Sequence, residues 1–383
     1  MTPACIDDYR LVARERLPFF LFEYVDGGSY SEATMRSNTE DFQRFKLRQQ
    51  VMRDVATIDL STTMFGTKTS LPVALGPVGL AGLYARRGEV QAVKAAHAQD
   101  IPFFLSASAC CAMEEVAAAT SRPICLQLYM IRDREFMKDF LARAERLGIE
   151  TLMLTVDLAV HSARHRDVRS GLTGPQGLGV RINRLLQVMA HPGWAWDVGL
   201  WGRPHILGNF APAMAKGAGL DQFTAWVAAN FDPSLTWKDV DWIRQHWKRR
   251  LVVKGVLEPN DALEACNVGA EAVIVSNHGG RQLDGAPSTI TALPAVVDAI
   301  GDKADVMIDG GIRSGVDVLR AMALGAKGVL LGRAWAWALA AEGGAGVSRM
   351  LDLLRHEIKV AMALTGQTDV KKLTTDMLLP LPK

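Results

Sequence analysis

The sequence predicts an α/β fold, a closed (β/α)8 barrel of the TIM class, with a helical cap before it and a long loop after its fourth strand. Three observations predict it: eight short apolar runs, helix-period segments between them, and a length that fits one such barrel. The runs are PVALGPVGL from Pro72, FFLSAS from Phe103, CLQLYM from Cys125, TLMLTVD from Thr151, LVVKGV from Leu251, AVIVSNHG from Ala272, DVMIDGG from Asp305 and GVLLGRA from Gly328. Continuous rather than alternating apolarity marks strands covered on both faces, as in a parallel sheet. Between them the spacing is helical, as in Phe136, Phe140, Ala144 and Leu147. Eight units over roughly 260 residues, with no second cluster of strands, match the ~250 residues of a typical barrel. An open doubly wound sheet is the alternative. Residues 1–383 are read as a single domain, with the barrel at about 70–365.

Taken in order, the chain starts with IDDYRLVARERLPFFLFEYVDGG, read as a helical cap that ends at Gly27 and Gly28 and brings Tyr24 with it. Strand starts then fall roughly 20 to 35 residues apart, except for about 100 between the fourth and fifth, well beyond ordinary loop lengths. The last part of that gap, TWKDVDWIRQHWKRR, places Val240, Ile243 and Trp247 on one helical face. The remainder, about 161–230, is an insertion in a barrel loop.

Composition removes several function classes. With 43 basic and 41 acidic side chains the formal charge is only +2, which lacks the basic footprint of a nucleic-acid binder. The five cysteines, Cys5, Cys110, Cys111, Cys125 and Cys266, show no zinc-site spacing and follow no export signal, so a reducing compartment and no metal are expected. The N-terminal MTPACIDDYR lacks the basic and apolar regions of a signal peptide, and no run of 18 apolar residues offers a membrane span.

In a barrel of this class the reaction happens at the C-terminal ends of the strands. Here those ends carry Gly76-Pro77-Val78-Gly79, Ser106, Gln127 with Tyr129, Thr155 with Asp157, Lys254, Ser276 with His278 and Arg281, Asp309-Gly310-Gly311-Ile312-Arg313, and Gly332-Arg333. Singly, each has an ordinary structural explanation as a cap, a packed ring or a solvated charge. Together they put His, Asp, Lys, Tyr and Arg into one concave mouth, where desolvation and unbalanced charge cost free energy that stability alone would not justify. DGGIRSG and LGRA, at the seventh and eighth strands, suggest a phosphate cradle of backbone amides, a helix N-terminus and Arg313 or Arg333. Ser314 with Asp317 reads as the start of that helix. No GxGxxG follows a strand to suggest a nicotinamide site.

The segment SNHGGRQLDG, with Lys254 ahead of it and DGGIRSGVDVLRAMALGA behind, resembles the FMN-dependent α-hydroxy acid dehydrogenase and oxidase family. The likeness runs from the N-terminal DYR and DGG through PVGLAG, QLY and TVD to the C-terminal barrel. Within that family, FLFEYVDGGSYSEATMRSN, LYARRGEVQA, HPGWAWDVGLWGRPHILGN and NFDPSLTWKD are most similar to bacterial quinone-linked L-lactate dehydrogenases. The resemblance implies His278 as the base that takes the substrate's proton, with Asp157 beside it favouring the imidazolium. It implies that Arg281, helped by Tyr24, holds the carboxylate, that Tyr129 bonds the substrate oxygen, and that Arg164 adds positive charge. For FMN it implies the backbone of Pro77, Val78 and Gly79, the side chains Ser106, Gln127, Thr155, Lys254 and Ser276, and the loops Asp309, Gly310, Gly311, Arg313, Gly332 and Arg333 on ribityl and phosphate. Gly79 and Ser108 are small where the family's pocket faces the substrate side chain, so lactate fits and larger acids such as (S)-mandelate are the nearest rivals.

Between residues 178 and 218 the insertion mixes Leu185, Leu186, Val188, Met189, Trp194, Trp196, Leu200, Trp201, Ile206, Leu207 and Phe210 with Arg181, Arg184, Arg203 and Lys216, against a single acid, Asp197. Such composition suits a peripheral membrane contact, and equally a surface packed on a neighbour or over the barrel mouth. The resemblance favours the membrane. It implies L-lactate oxidised to pyruvate, quinone as acceptor, the cytoplasmic face of a bacterial inner membrane, and a homo-oligomer, the tetramer. An oxidase that uses O2, and a non-redox barrel that binds FMN or a sugar phosphate, are the rival readings.

Overall fold

The computed structural model describes residues 1–175, 177–213 and 230–380. The eight apolar runs are eight parallel strands: β1 (Val73–Leu75), β2 (Phe104–Leu105), β3 (Cys125–Leu128), β4 (Thr151–Thr155), β5 (Arg250–Val256), β6 (Ala272–Val275), β7 (Asp305–Ile308) and β8 (Gly328–Leu331). From β2 to β8 each pairs with its neighbour in the chain, and β8 returns to β1 with Val329 opposite Val73 and Leu331 opposite Leu75. Between β1 and β2 the ring closes on a single parallel bridge, Leu75 to Phe103, whose Leu75 amide donates to the Pro102 carbonyl at 2.9 Å. The fold is therefore the closed barrel and not the open sheet.

Helices α1 (Ile6–Arg16), α2 (Phe19–Asp26) and α3 (Ala33–Glu40) form the N-terminal cap. One helical run was expected over the first two, but the chain breaks at Leu17-Pro18. Proline lacks the amide a helix needs and forces the residue before it out of the helical region, and Leu17 is extended at φ −89°, ψ 141°. Around the barrel run α4 (Gly88–His97), α5 (Met113–Ala118) and α6 (Arg134–Arg146); within the insertion lie α7 (His165–Arg169) and α8 (Leu178–Met189). The ring continues with α9 (Trp237–His246), α10 (Pro259–Asn267), α11 (Thr289–Ile300), α12 (Gly315–Ala323) and α13 (Arg333–Leu364), which bends at Glu342 and Gly343. At its start α9 has a capping box between Thr236 and Asp239, and it buries Val240 and Ile243, with Trp247 fully buried just beyond.

The barrel interior follows from strand alternation. Ala74, Phe104, Met153, Val252, Ala272, Ile274, Met307 and Leu330 point inward as one buried cluster. Its floor is a hairpin, Thr62–Met64 with Thr67–Thr69, that the sequence reading had not picked out; it inserts Met64 and Phe65, whose ring meets Phe104 edge-on at 4.9 Å. Two residues further along each strand the side chains face inward again, at the open end. Those positions are Gly76, Ser106, Gln127, Thr155, Lys254, Ser276, Asp309 and Gly332, so the apolar layer gives way to polar groups in one step.

The insertion is partly folded back. Val198, Leu207 and Phe210 are buried, and the Trp194 indole donates to the Leu83 carbonyl at 2.7 Å. These rings, counted from composition toward a membrane face, instead attach the loop to the body. By contrast α8 buries no residue: Leu178, Ile182, Leu185, Leu186 and Met189 are exposed, as are Trp196, Leu200 and Trp201. The end of the expected loop, with Lys216 and Ala218, lies outside the described residues.

Candidate active site

A cleft of about 410 Å³ opens at the C-terminal ends of the strands. Its walls include Tyr24, Pro77, Val78, Gly79, Ser106, Tyr129, Thr155, Arg164, Lys254, His278, Arg281, Asp309, Gly310, Gly311, Arg313, Gly332 and Arg333, contributed by the cap, by loop 4 and by all eight strand ends. On β3 and β6 the strand-end residues Gln127 and Ser276 are fully buried behind the wall, while Tyr129 and His278 just beyond them line the cleft. Gln127 donates to Thr155 Oγ1 at 3.1 Å and accepts from Ser106 Oγ and the Ala107 amide, each at 3.2 Å. Each hydrogen-bonds a residue of the cleft wall, Gln127 to Thr155 and Ser276 to Lys254.

His278 is the centre of the reactive side. Its Nδ1 lies 2.8 Å from Asp157 Oδ1, so the neutral ring donates there and leaves Nε2 for the cleft. The residue has a left-handed backbone, φ 56°, uncommon outside glycine, held by its amide donating to Ser276 Oγ at 3.1 Å. Burial pushes the imidazole below its ordinary range, and the Asp157 carboxylate opposes that shift. Burial alone would raise Asp157, but His278 and Lys254 outweigh it and hold the carboxyl low, so it stays ionised. Asp157 fits here because the residue facing it on β5 is Gly255, where a Cβ would come within 2.6 Å of the Asp157 side chain. Burial keeps the Tyr129 hydroxyl protonated by driving its pKa up, and its ring stacks on His278 at 6.5 Å.

Two guanidiniums converge opposite the imidazole. Arg281 donates to the carbonyls of Tyr24 at 2.7 Å and Gly27 at 2.8 Å, and its plane lies 5.1 Å above the Tyr24 ring. Arg164 reaches the Arg281 carbonyl at 3.4 Å, and burial followed by the Arg281 charge pulls its pKa down. Among the described residues neither forms an ion pair with a carboxylate. Asp167 offsets part of this charge, and two half-buried cations with no directly bonded carboxylate are arranged for an incoming anion. Gly79 faces this space: a Cβ there would meet Ser108 Cβ at 3.5 Å and the Tyr24 hydroxyl at 3.9 Å.

Along the inner wall Lys254 Nζ lies 3.1 Å from Asp309 Oδ2 and donates to Ser276 Oγ at 2.9 Å. Burial would lower the ammonium, yet Asp309 and Asp157 hold its pKa above the ordinary value, so a fixed cation stands at the floor of the cleft. Asp309 Oδ1 is buried without a partner, an acceptor suited to a ligand hydroxyl. At the far end burial depresses Arg313 and, more strongly, Arg333; Arg313 stacks 4.7 Å over Trp337. Neither has a carboxylate partner among the described residues. Nothing lies within 4 Å of a Cβ placed on Gly332, whereas one on Gly311 would collide with the Asn38 carbonyl at 1.8 Å. The first glycine is open to a ligand, while the second is needed for the cap to pack. Arg333 in turn spends its nitrogens on the carbonyls of Asp26, Gly279 and Gly27, tying cap to barrel. An acceptor for a polyol, a buried cation and an open, arginine-flanked glycine fit FMN.

Sequence reasoning missed Tyr84, His161, Ser162, Asp167 and Phe231, which also line the cleft. Ser162 Oγ donates to the Arg281 carbonyl at 2.5 Å, and the Phe231 ring lies 5.3 Å from Tyr129. His161, Ser162 and Asp167 share the motif HSARHRD with Arg164, and Tyr84 and Phe231 lie in the quoted LYARRGEVQA and NFDPSLTWKD, but nothing in those stretches said which side chains turn inward.

The description of FMN-dependent dehydrogenases as a family matches residues 13–380. An L-lactate dehydrogenase from Caulobacter vibrioides is 55% identical over 371 residues, 97% of this chain and 96% of its own. Another, from Azorhizobium caulinodans, is 54% identical over 377 residues, 98% of each chain. Among solved structures, a monotopic membrane protein, (S)-mandelate dehydrogenase, superposes with a TM-score of 0.93 at 34% identity over 99% of this chain and 100% of that one.

Proposed function

The chain belongs to the family of FMN-dependent dehydrogenases and oxidises a 2-hydroxy acid; on that premise we propose that the acid is L-lactate, the product pyruvate, and the electron acceptor a membrane quinone. The observation that carries the reading is the cleft itself, where a base, His278, and an unpaired cation, Arg281, stand together. They are adjacent because the α-carbon and carboxylate of a 2-hydroxy acid are adjacent. Lactate is supported by relatives named L-lactate dehydrogenase at 54% and 55% identity, against 34% for the mandelate enzyme. Small Gly79 and Ser108 leave room for a larger acid as well.

In this reading Arg281 and Arg164 hold the carboxylate with the Tyr24 hydroxyl, and Tyr129 donates to the substrate oxygen. His278 Nε2 takes the hydroxyl proton, and the imidazolium so formed is stabilised by Asp157 at 2.8 Å. Bound FMN supplies the two-electron acceptor. Lys254 presents a fixed ammonium to offset negative charge on its floor. Asp309, Arg313 and the Gly332 backbone would hold its ribityl and phosphate, and Ser106, Thr155 and the Pro77 to Gly79 backbone its ring system.

The exposed apolar face of α8 with Trp196 and Trp201, and a relative described as monotopic, support docking on a membrane, which in this reading is the bacterial inner membrane approached from the cytoplasm. No helix among the described residues is long and apolar enough to cross one. Residues 1–383 act as one catalytic domain in a homo-tetramer, which light scattering of the detergent-solubilised protein measures. The deciding experiment mixes the yellow protein anaerobically with L-lactate, D-lactate, glycolate or (S)-mandelate and follows bleaching of the flavin. Fast bleaching by L-lactate alone is expected; bleaching mainly by mandelate would move the substrate, and none by any acid would end the reading.

A further inference from the structure

Arg166 lies outside the cleft, yet it is the most heavily paired side chain near it. Its guanidinium forks onto Glu23, with Nε to Oε2 and Nη2 to Oε1 both at 2.7 Å. It also reaches Asp26 Oδ2 at 2.9 Å and Glu32 Oε1 at 3.4 Å. All three carboxylates belong to the N-terminal cap; Arg166 belongs to α7, on loop 4.

What each side carries gives this knot its meaning. Glu23 and Asp26 flank Tyr24 and Gly27, the residues whose carbonyls anchor Arg281, and Glu32 accepts from the Gly28 amide at 2.8 Å. On the other side Arg166 sits between Arg164 and Asp167, both in the cleft wall. The anion grip therefore has two halves on separate elements. One of those elements, α7, is a five-residue helix, too short to hold a shape by its own backbone bonds. Its placement depends on what its side chains grasp. The other ties nearby are weaker: Tyr30 amide to Ala163 carbonyl at 2.8 Å and Ser162 to Arg281 fix the chain before the helix, the Tyr30 ring meets His165 edge-on at 5.9 Å, and Gln187 reaches the Ser170 carbonyl at 3.5 Å after it.

We infer that Arg166 is a positioning residue that sets the spacing between Tyr24 with Arg281 and Arg164, and through it the affinity for the substrate carboxylate. This rests on the proposed carboxylate site. The role is separable from stability, because Asp26, the most buried of the three acids, keeps both bonds from Arg10, at 2.6 and 2.8 Å, when Arg166 is removed. Removal thus strands no deeply buried charge. Arginine rather than lysine suits the place, since only a planar fork can satisfy Glu23 with two parallel bonds and still reach Asp26.

The test uses the FMN-loaded enzyme and its variants Arg166→Met, Arg166→Lys, Glu23→Gln and the Met/Gln double. Two quantities are read: KM against kcat for L-lactate, and the Kd of oxalate, an unreactive carboxylate followed by its perturbation of the flavin spectrum. In Arg166→Met, KM and oxalate Kd should each rise tenfold or more, kcat should stay within about twofold, and flavin content should be unchanged. Lysine should recover part of the affinity, Glu23→Gln should shift it the same way by less, and the double should be no worse than Arg166→Met alone, because the two residues act as a unit. A lowered melting temperature with oxalate Kd within twofold of wild type would overturn the inference, as would a fall in kcat with KM unchanged. Should Arg166→Met fail to retain flavin, Glu23→Gln decides by the same criterion. If L-lactate does not bleach the wild type, the proposed substrate fails, while the oxalate comparison still judges Arg166.

Discussion

Replacing Asp157 by Asn should lower the rate of flavin reduction and move its pH profile, in directions that separate orientation from charge. The Asp157 to His278 bond is 2.8 Å long, and the two side chains are only 11% and 17% exposed. A hydrogen bond to a charged group in such surroundings contributes about 1.5–3 kcal/mol. It reaches that strength only once His278 has taken the proton, so nearly all of it applies to the transition state. At 1.36 kcal/mol per decade this is a loss of roughly 10- to 150-fold in the limiting rate. The pH profile has the opposite sign. His278 must be neutral to act as a base, so the rate rises as pH increases through its pKa, which burial places below the ordinary imidazole value of about 6.5. Asp157 is the group that raises it, so its removal pulls the pKa lower and shifts the acid limb toward lower pH while the plateau drops. Anaerobic stopped-flow reduction by L-lactate across pH 4.5–8 measures both. An unchanged plateau, or a limb that moves upward, would refute the assignment of Asp157 as partner to the base.

Other perturbations act on other parts. Arg313→Met removes a cleft-lining buried cation, and should weaken FMN binding by roughly 10- to 150-fold, the range for hydrogen bonds to a charged group; flavin fluorescence during dialysis reads it. Replacing the exposed Leu185, Leu186, Trp196 and Trp201 by serine should release the protein from anionic vesicles in a flotation assay and leave reduction by L-lactate within a few-fold, whereas loss of flavin would show that this face serves the barrel. Trp247→Ala empties a fully buried site between α9 and β5, and should cost about 3–5 kcal/mol, seen as a fall in the denaturation midpoint with the flavin spectrum unchanged at low denaturant.

All eight strands were legible because each is buried on both faces and therefore continuously apolar. The position of the site followed, since strand ends in a barrel share one mouth. Less was legible where contact is made by residues distant in sequence. The Met64 and Phe65 floor comes from a three-residue strand pair, too short for any period. Gln127 and Ser276 were placed by resemblance on the cofactor; in the fold both are fully buried and bonded to cleft-lining Thr155 and Lys254, partners that sequence spacing does not announce. Gly311, expected at the phosphate, lines the cleft and also lets Asn38 pass close by, a second demand that no local pattern announced. Arg166, in a motif that was quoted for Arg164, gave no sign of its three partners, because ion pairs across 134 to 143 residues leave no local pattern.

The central claim, that His278 is the base of an FMN-dependent 2-hydroxy acid oxidation, is tested most directly by His278→Gln. The account predicts a yellow protein with wild-type flavin content that L-lactate fails to bleach under anaerobic conditions. Bleaching at a rate near that of the wild type would contradict it.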